Sequence, residues 1–146
     1  MKKLLTVFIM VSTLLFVSAC SLLEDASNTL EYADKALEHT NTLSAFAQEA
    51  PQLVQEAATD PEKKQELEDR LTTLRADIEE FNSLEAPGFA EGLHESFVTK
   101  NEEVLQIVDS AMENGELAVE TLENSQLFQV IDDLIQLKTQ IEELGQ

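Results

Sequence analysis

The sequence is poor in the residues that mark several common functional classes. Its 146 residues include one cysteine, no tryptophan, one tyrosine and only four glycines. A single cysteine excludes an intramolecular disulfide. The four glycines form no Gly-rich phosphate-binding loop, and no serine lies in a Gly-x-Ser-x-Gly turn. These absences argue against a nucleotide-binding protein and against a serine hydrolase.

Basic residues are also scarce. Nine lysines and arginines stand against 29 aspartates and glutamates, which gives a formal net charge of −20 at pH 7 and a pI of about 4.1. Nucleic acid and anionic lipid headgroups would be repelled by this charge. The charge is compatible with attraction of cations, with a basic partner, or simply with solvated helix faces.

One long apolar run is present, at the amino terminus. It spans residues 4–17, follows two lysines, and ends at the small residues Ser18 and Ala19 before Cys20. A charged start, a short apolar stretch and a small-residue cleavage site are typical of a secretory signal peptide. The run is shorter than the ~20 residues that a membrane-spanning helix needs, so an uncleaved transmembrane anchor is the weaker alternative.

The end of this segment, Val17-Ser18-Ala19-Cys20, resembles the bacterial lipobox. The resemblance implies cleavage between Ala19 and Cys20 and a thioether-linked diacylglyceryl group, carrying acyl chains such as palmitate, on Cys20. Two acyl chains suffice for stable anchoring. We therefore predict a signal peptide over residues 1–19 and a domain over residues 20–146, lipid-anchored at the extracytoplasmic face of the cell membrane.

Helical periodicity runs through most of the remaining chain, and alternating strand patterns are nearly absent. Four long amphipathic helices are predicted, over residues 23–49, 60–83, 89–113 and 125–144. Asp60-Pro61 is a strong helix start, and Ala50-Pro51 predicts a break, after which residues 52–58 form a short extension. The predicted fold class is therefore all-α, an antiparallel bundle of about four long helices after an N-terminal signal helix. An extended coiled coil is the alternative, which the proline and glycine breaks disfavour.

The apolar stripes of these helices predict which faces enter the core. The stripe of the second helix is the cleanest, with strict steps of four and three residues. In chain order, the predicted core positions are Leu23, Ala26, Leu30, Ala33 and Leu37, continued less regularly by Leu43, Phe46 and Ala47; Leu67, Leu71, Leu74, Ile78 and Phe81; Phe89, Leu93, Phe97, Val104, Ile107, Val108 and Ala111; and Leu127, Phe128, Ile131, Leu134, Ile135, Ile141 and Leu144.

The histidines and carboxylates are the candidate metal ligands of this sequence. Glu91 and His94 have the Glu-x-x-His spacing that ferritin-like bundles use, but on a helical wheel both point away from the stripe that begins at Phe89. The other histidine, His39, has no carboxylate at that spacing, and adjacent acidic pairs diverge on a helix rather than converge on a cation. We predict no metal site, no cofactor and no catalytic residue, and hence a protein that is not an enzyme.

Three segments resemble a known family. They are Phe46-Ala47-Gln48-Glu49-Ala50-Pro51, the segment 79–87 that ends in Leu84-Glu85-Ala86-Pro87, and Leu127-Phe128-Gln129-Val130-Ile131. Together with the lipobox they resemble a group of small, uncharacterised lipoproteins from Bacillus and related Gram-positive bacteria. The resemblance implies a location at the exterior of a Gram-positive membrane, and it supplies no catalytic or binding residues.

The predicted function follows from a lipid anchor joined to a helical domain without a catalytic motif. We expect a non-enzymatic helical interaction module of the cell envelope, held to the membrane through Cys20 and binding an envelope protein. The alternative is a diffuse cation-binding or envelope-stress protein that acts through its acidic surface. A hydrolase, the third hypothesis, would require a concave pocket containing a carboxylate of shifted pKa.

Overall fold

The structure is a computed structural model. It describes the backbone of residues 17–113 and 116–144, and the side chains of residues 27–112 and 116–143. These residues form an all-α bundle, as the helical periodicity predicts. The elements are α1 (Val17–Ala57), α2 (Pro61–Asn82), a 3-10 turn (Gly88–Ala90), α3 (Glu91–Ala111), β1 (Met112–Glu113), β2 (Glu116–Leu117), α4 (Val119–Glu123), α5 (Leu127–Gln136) and α6 (Lys138–Leu144).

The α2 helix begins and packs as predicted. The Asp60 carboxylate accepts hydrogen bonds from the backbone N–H groups of Glu62 (2.9 Å) and Lys63 (3.4 Å), and Pro61 occupies the first turn. Both features satisfy the free amides of a helix start. All five residues of its predicted stripe are buried, namely Leu67, Leu71, Leu74, Ile78 and Phe81. This face packs against α1 and α3.

α1 continues through Pro51, so the predicted break at this position is wrong. Proline has no N–H to donate to the carbonyl of Ala47, and its ring crowds that carbonyl. The helix nevertheless extends to Ala57, because Leu53, Val54 and Ala57 are buried against the bundle. Tertiary packing of the apolar face outweighs the local penalty.

The buried face of α1 differs in part from the predicted stripe. Ala33, Leu43 and Phe46 are buried as predicted, Leu37 and Ala47 are half-buried, and Leu30 is 55% exposed. Leu30 precedes Tyr32, the first buried side chain described in α1. The predicted core positions Leu23 and Ala26 lie outside the described side chains. The buried face of α1 consists of Tyr32, Ala33, Ala36, His39, Thr40, Leu43, Phe46, Ala50, Leu53, Val54 and Ala57.

The start of the third helix also differs from the prediction. Phe89 lies in the 3-10 turn and is 57% exposed, so its assignment to the core is wrong. The sequence spacing placed it in phase with Leu93 and Phe97, but the chain is not yet α-helical at this point. Phe97, Val104, Val108 and Ala111 are buried as predicted, whereas Leu93 and Ile107 are half-buried. The sequence did not predict Asn101, which is fully buried between Phe97 and Val104.

The last quarter of the chain is divided more finely than predicted. A two-residue antiparallel ladder pairs Met112 with Leu117 and ends α3. The predicted final helix is split at Leu137 into α5 and α6. The split allows α5 to pack against both α1 and α3, while α6 packs against α1. Of the core positions predicted for the final helix, Leu127, Ile131, Leu134 and Ile141 are buried. Phe128 and Ile135 are half-buried, and the side chain of Leu144 lies outside those described.

Candidate functional site

The predicted attachment site lies at the start of α1. The backbone of Ala19 and Cys20 belongs to the first turn of this helix, and their side chains lie outside those described. Cleavage between them and lipidation of Cys20 therefore stay predictions. The helix that contains them continues without interruption to Tyr32, the first buried side chain that the structure describes.

A groove runs along α1, between this helix on one side and α2 with the following residues 84–88 on the other. It consists of three adjoining depressions with volumes of about 440, 170 and 290 Å³. The first two share Lys35 and Leu84, and the last two share Thr42 and Asp77. Along α1 the groove extends from Asn28 to Glu49, which is about 30 Å at the rise of an α-helix. We call it the α1–α2 groove.

Aromatic rings from three helices meet beneath the centre of this groove. The rings of His39 and Phe81 are stacked, with centroids 4.3 Å apart and an interplanar angle of 8°. Phe97 of α3 packs edge-on against both, at 5.3 Å from Phe81 and 6.1 Å from His39. His39 and Phe81 line the central depression although each is at least 95% buried. They therefore form a rigid, largely apolar floor.

A chain of hydrogen bonds holds His39 in this floor. The amide nitrogen of Asn101 donates to the side-chain oxygen of Asn82 at 2.7 Å. The side-chain oxygen of Asn101 therefore faces His39, and Nε2 of His39 donates to it at 3.1 Å. Burial lowers the pKa of His39 to about 4, an effect that the hydrogen bond to Asn101 partly opposes. At neutral pH His39 is an uncharged ring whose Nε2 carries the proton.

His94 lies beside the same cluster. Its Nδ1 is hydrogen-bonded to the hydroxyl of Tyr32 at 3.2 Å, and its ring packs 5.3 Å from that of Phe81. Burial lowers the pKa of His94, and a hydrogen bond with the backbone of Asn82 partly opposes this. Burial also raises the pKa of Tyr32 to about 12, so the hydroxyl stays protonated. Glu91, the other member of the Glu-x-x-His pair, is exposed.

Sequence reasoning did not find this cluster of histidines and aromatic rings. The stripe assigned to α1 contained neither Tyr32 nor His39. A signal was present in the spacing, because His39 stands in three- and four-residue steps with Ala36 and Leu43, both of which are buried. A histidine at such a position is buried only when another helix supplies a partner, and the partner Asn101 is 62 residues away.

The rim of the groove is acidic. Its first two depressions are lined by one basic side chain, Lys35, and by five carboxylates: Glu31, Glu38, Asp77, Glu80 and Glu85. Lys35 is paired with Glu31 at 3.3 Å. Among the ion pairs of the described side chains, none involves the other four carboxylates. At the opposite end of the groove, Glu49 is paired with Arg70.

The described residues also bear on metal binding and on membrane spans. The described side chains contain no group of three or more histidines, cysteines, aspartates and glutamates placed to hold a metal ion. No helix within the described ranges is both long enough and apolar enough to cross a membrane.

Comparison with known proteins gives two matches. Residues 32–144 match a family model described as a family of unknown function (DUF6376). Over its full length the chain is 31% identical to the uncharacterized lipoprotein YybP of Bacillus subtilis (strain 168), across 149 aligned residues that also cover all of that protein. No solved structure matches significantly. The resemblance to uncharacterised lipoproteins, predicted from three segments and the lipobox, is confirmed.

Proposed function

The chain belongs to the family of unknown function DUF6376, and on that premise we propose that it is a lipid-anchored envelope protein that binds another protein and catalyses no reaction. The proposed anchor is a lipid on Cys20, and the proposed location is the extracytoplasmic face of the membrane. The proposed binding surface is the α1–α2 groove. Each part has separate support.

Two observations support the anchor. The first is the lipobox-like segment that ends at Cys20. The second is the full-length similarity to a protein named as a lipoprotein. The match to the family model begins at Tyr32, which is also the first buried side chain described in α1. The chain before Tyr32 therefore suits a connection between an anchor and the packed domain.

The α1–α2 groove supports binding, and it is the observation that carries the proposal. It is about 30 Å long, has an aromatic floor, and is open to solvent between two helices. Small-molecule sites enclose most of their ligand, whereas an open groove of this length suits an extended partner. The alternative of diffuse cation attraction rests on net charge alone and assigns no particular surface.

The arrangement of the histidines supports a non-enzymatic role. His39 is buried and its Nε2 is bonded to Asn101. His94 is bonded to Tyr32. A general base must reach the proton that it removes from a substrate, and these side-chain hydrogen bonds instead join helices of the bundle. Their geometry fits a structural role beneath a binding surface.

Site-specific photocrosslinking in intact cells tests the proposal. A photoreactive residue would replace Thr42 or Glu80 in the groove, or Glu95 or Gln129 on other faces of the bundle. We expect the groove positions to give a discrete crosslinked protein and the two control positions to give none. Equal crosslinking from all four positions, or none from the groove, would contradict docking at this surface.

A further inference from the structure

The chemistry of the α1–α2 groove indicates what kind of partner segment it accepts, an inference that rests on the proposed function. Its first two depressions combine an aromatic floor with an acidic rim. Leu84 contributes to both depressions and is half-buried, so part of its apolar surface faces the groove. His39 and Phe81 continue that apolar floor toward Thr42.

The rim charges exclude several classes of partner. Five carboxylates and one lysine line the first two depressions, and the lysine is paired with Glu31. The total charge of the chain, −20, has the same sign. Nucleic acid, anionic lipid and acidic peptides would therefore be repelled at this surface. A cationic segment would instead gain ion pairs with carboxylates that have none among the described side chains.

The position of the charges relative to the floor places a second constraint on the partner segment. Glu38 lies on α1, whereas Asp77 and Glu80 lie on α2, so carboxylates flank the apolar floor on both sides. A purely basic coil would match the rim and leave the exposed part of Leu84 uncovered. A helix with an apolar stripe between two rows of basic side chains would match both, as in other complexes where an amphipathic helix lies in a groove.

We propose that the α1–α2 groove binds a cationic amphipathic helix of a partner protein. Its apolar side chains pack on the half-buried Leu84, beside the buried His39–Phe81 pair, and its lysines or arginines pair with Glu38, Asp77 and Glu80. The groove spans about 30 Å along α1, a length that matches a partner helix of about 20 residues.

The test uses the full-length lipidated protein in detergent micelles and a fluorescently labelled designed helix. The probe is a peptide of about 18 residues with leucines on one face and lysines on its flanks. A peptide of the same composition in scrambled order, and one with glutamate in place of lysine, serve as controls. We expect measurable binding by fluorescence anisotropy for the amphipathic cationic peptide, clearly weaker binding for the scrambled peptide, and none for the acidic one.

Two matched sets of variants locate the binding. E38Q/D77N/E80Q removes three charges from the groove, while E95Q/E102Q/D132N removes three exposed charges elsewhere and leaves the same net charge. We expect the groove variant to weaken binding by about tenfold or more and the control by about twofold or less, because screened charges act mainly at short range. Leu84→Ala should likewise weaken binding more than Leu105→Ala, which alters a half-buried leucine on α3.

The outcomes separate this inference from the proposed function. Equal loss in both charge variants, or equal affinity for the ordered and scrambled peptides, would reduce the binding to bulk attraction and overturn the inference. Absence of peptide binding would overturn it as well. If groove-specific crosslinks were still obtained in cells, docking at the groove would stand and only the cationic helical chemistry would be wrong.

Discussion

Burial of His39 couples its protonation to the stability of the bundle. The ring is 5% exposed, stacks on Phe81 and donates to Asn101. In the folded protein its pKa is lowered to about 4, from an ordinary value of 6.5. The unfolded chain therefore binds a proton more readily than the folded one between these pH values. It follows that the stability contributed by the neutral ring is complete above pH 6.5 and is lost as the pH falls toward 4.

The corresponding prediction concerns His39→Gln. Between pH 6.5 and 4, His39 should lower the free energy of unfolding by about 1.4 kcal/mol per pH unit, or about 3 kcal/mol in all. Glutamine can still donate to Asn101 but does not titrate, so the variant should lose this pH dependence. Urea unfolding followed by circular dichroism at several pH values measures it.

The matched control for this measurement is His94→Gln. His94 is less buried, and its pKa is lowered without the large change seen at His39. The carboxylates near His39, including Glu38, Asp77 and Glu80, are present in all three proteins, so the difference between the profiles isolates the histidine. Identical pH profiles for wild type and His39→Gln would show that burial does not hold this ring neutral.

Individual helices differ in how far their sequence determines them. α2 could be predicted fully, because Asp60 and Pro61 define its start and its apolar residues follow one period. The break at Pro51 and the burial of Phe89 could not be judged locally, since both depend on whether another helix covers that part of the chain. The pairing of His39 with Asn101 was still less predictable, because each of these buried polar side chains needs a hydrogen-bond partner on another helix, which the local sequence does not show.

The start of α2 provides a prediction about the stability of a single helix. Asp60→Ala removes the acceptor for the N–H groups of Glu62 and Lys63, and we expect a loss of about 1 kcal/mol in the free energy of unfolding. Asp60→Asn should restore most of it, because asparagine caps equally well. Thr59→Ala, one residue earlier, is the control. Urea denaturation measures the stability of each variant. Equal stability of Asp60→Ala and Thr59→Ala would contradict the capping role of Asp60.

The whole molecule combines an acidic helical bundle with a long first helix that begins at Val17. From Cys20 to Tyr32 the α1 backbone is continuously helical, and at 1.5 Å per residue this length is about 18 Å. A lipid on Cys20 would therefore lie about 18 Å along the helix from Tyr32, the first buried side chain described. This spacing suits a protein with a net charge of −20 beside anionic headgroups, and it leaves the α1–α2 groove accessible to a partner.

The attachment itself supplies the last prediction. Cys20→Ala removes the thiol that forms the thioether, so we expect no incorporation of labelled fatty acid. The protein should then either retain its signal segment, seen as a larger species on a gel, or appear in the culture medium. Ser21→Ala, which alters the next residue and keeps the thiol, should be labelled and processed like the wild type. Unchanged labelling and processing of Cys20→Ala would contradict attachment through this thiol, whereas an unlabelled and uncleaved wild type at the membrane would mean that the apolar segment holds the bundle there.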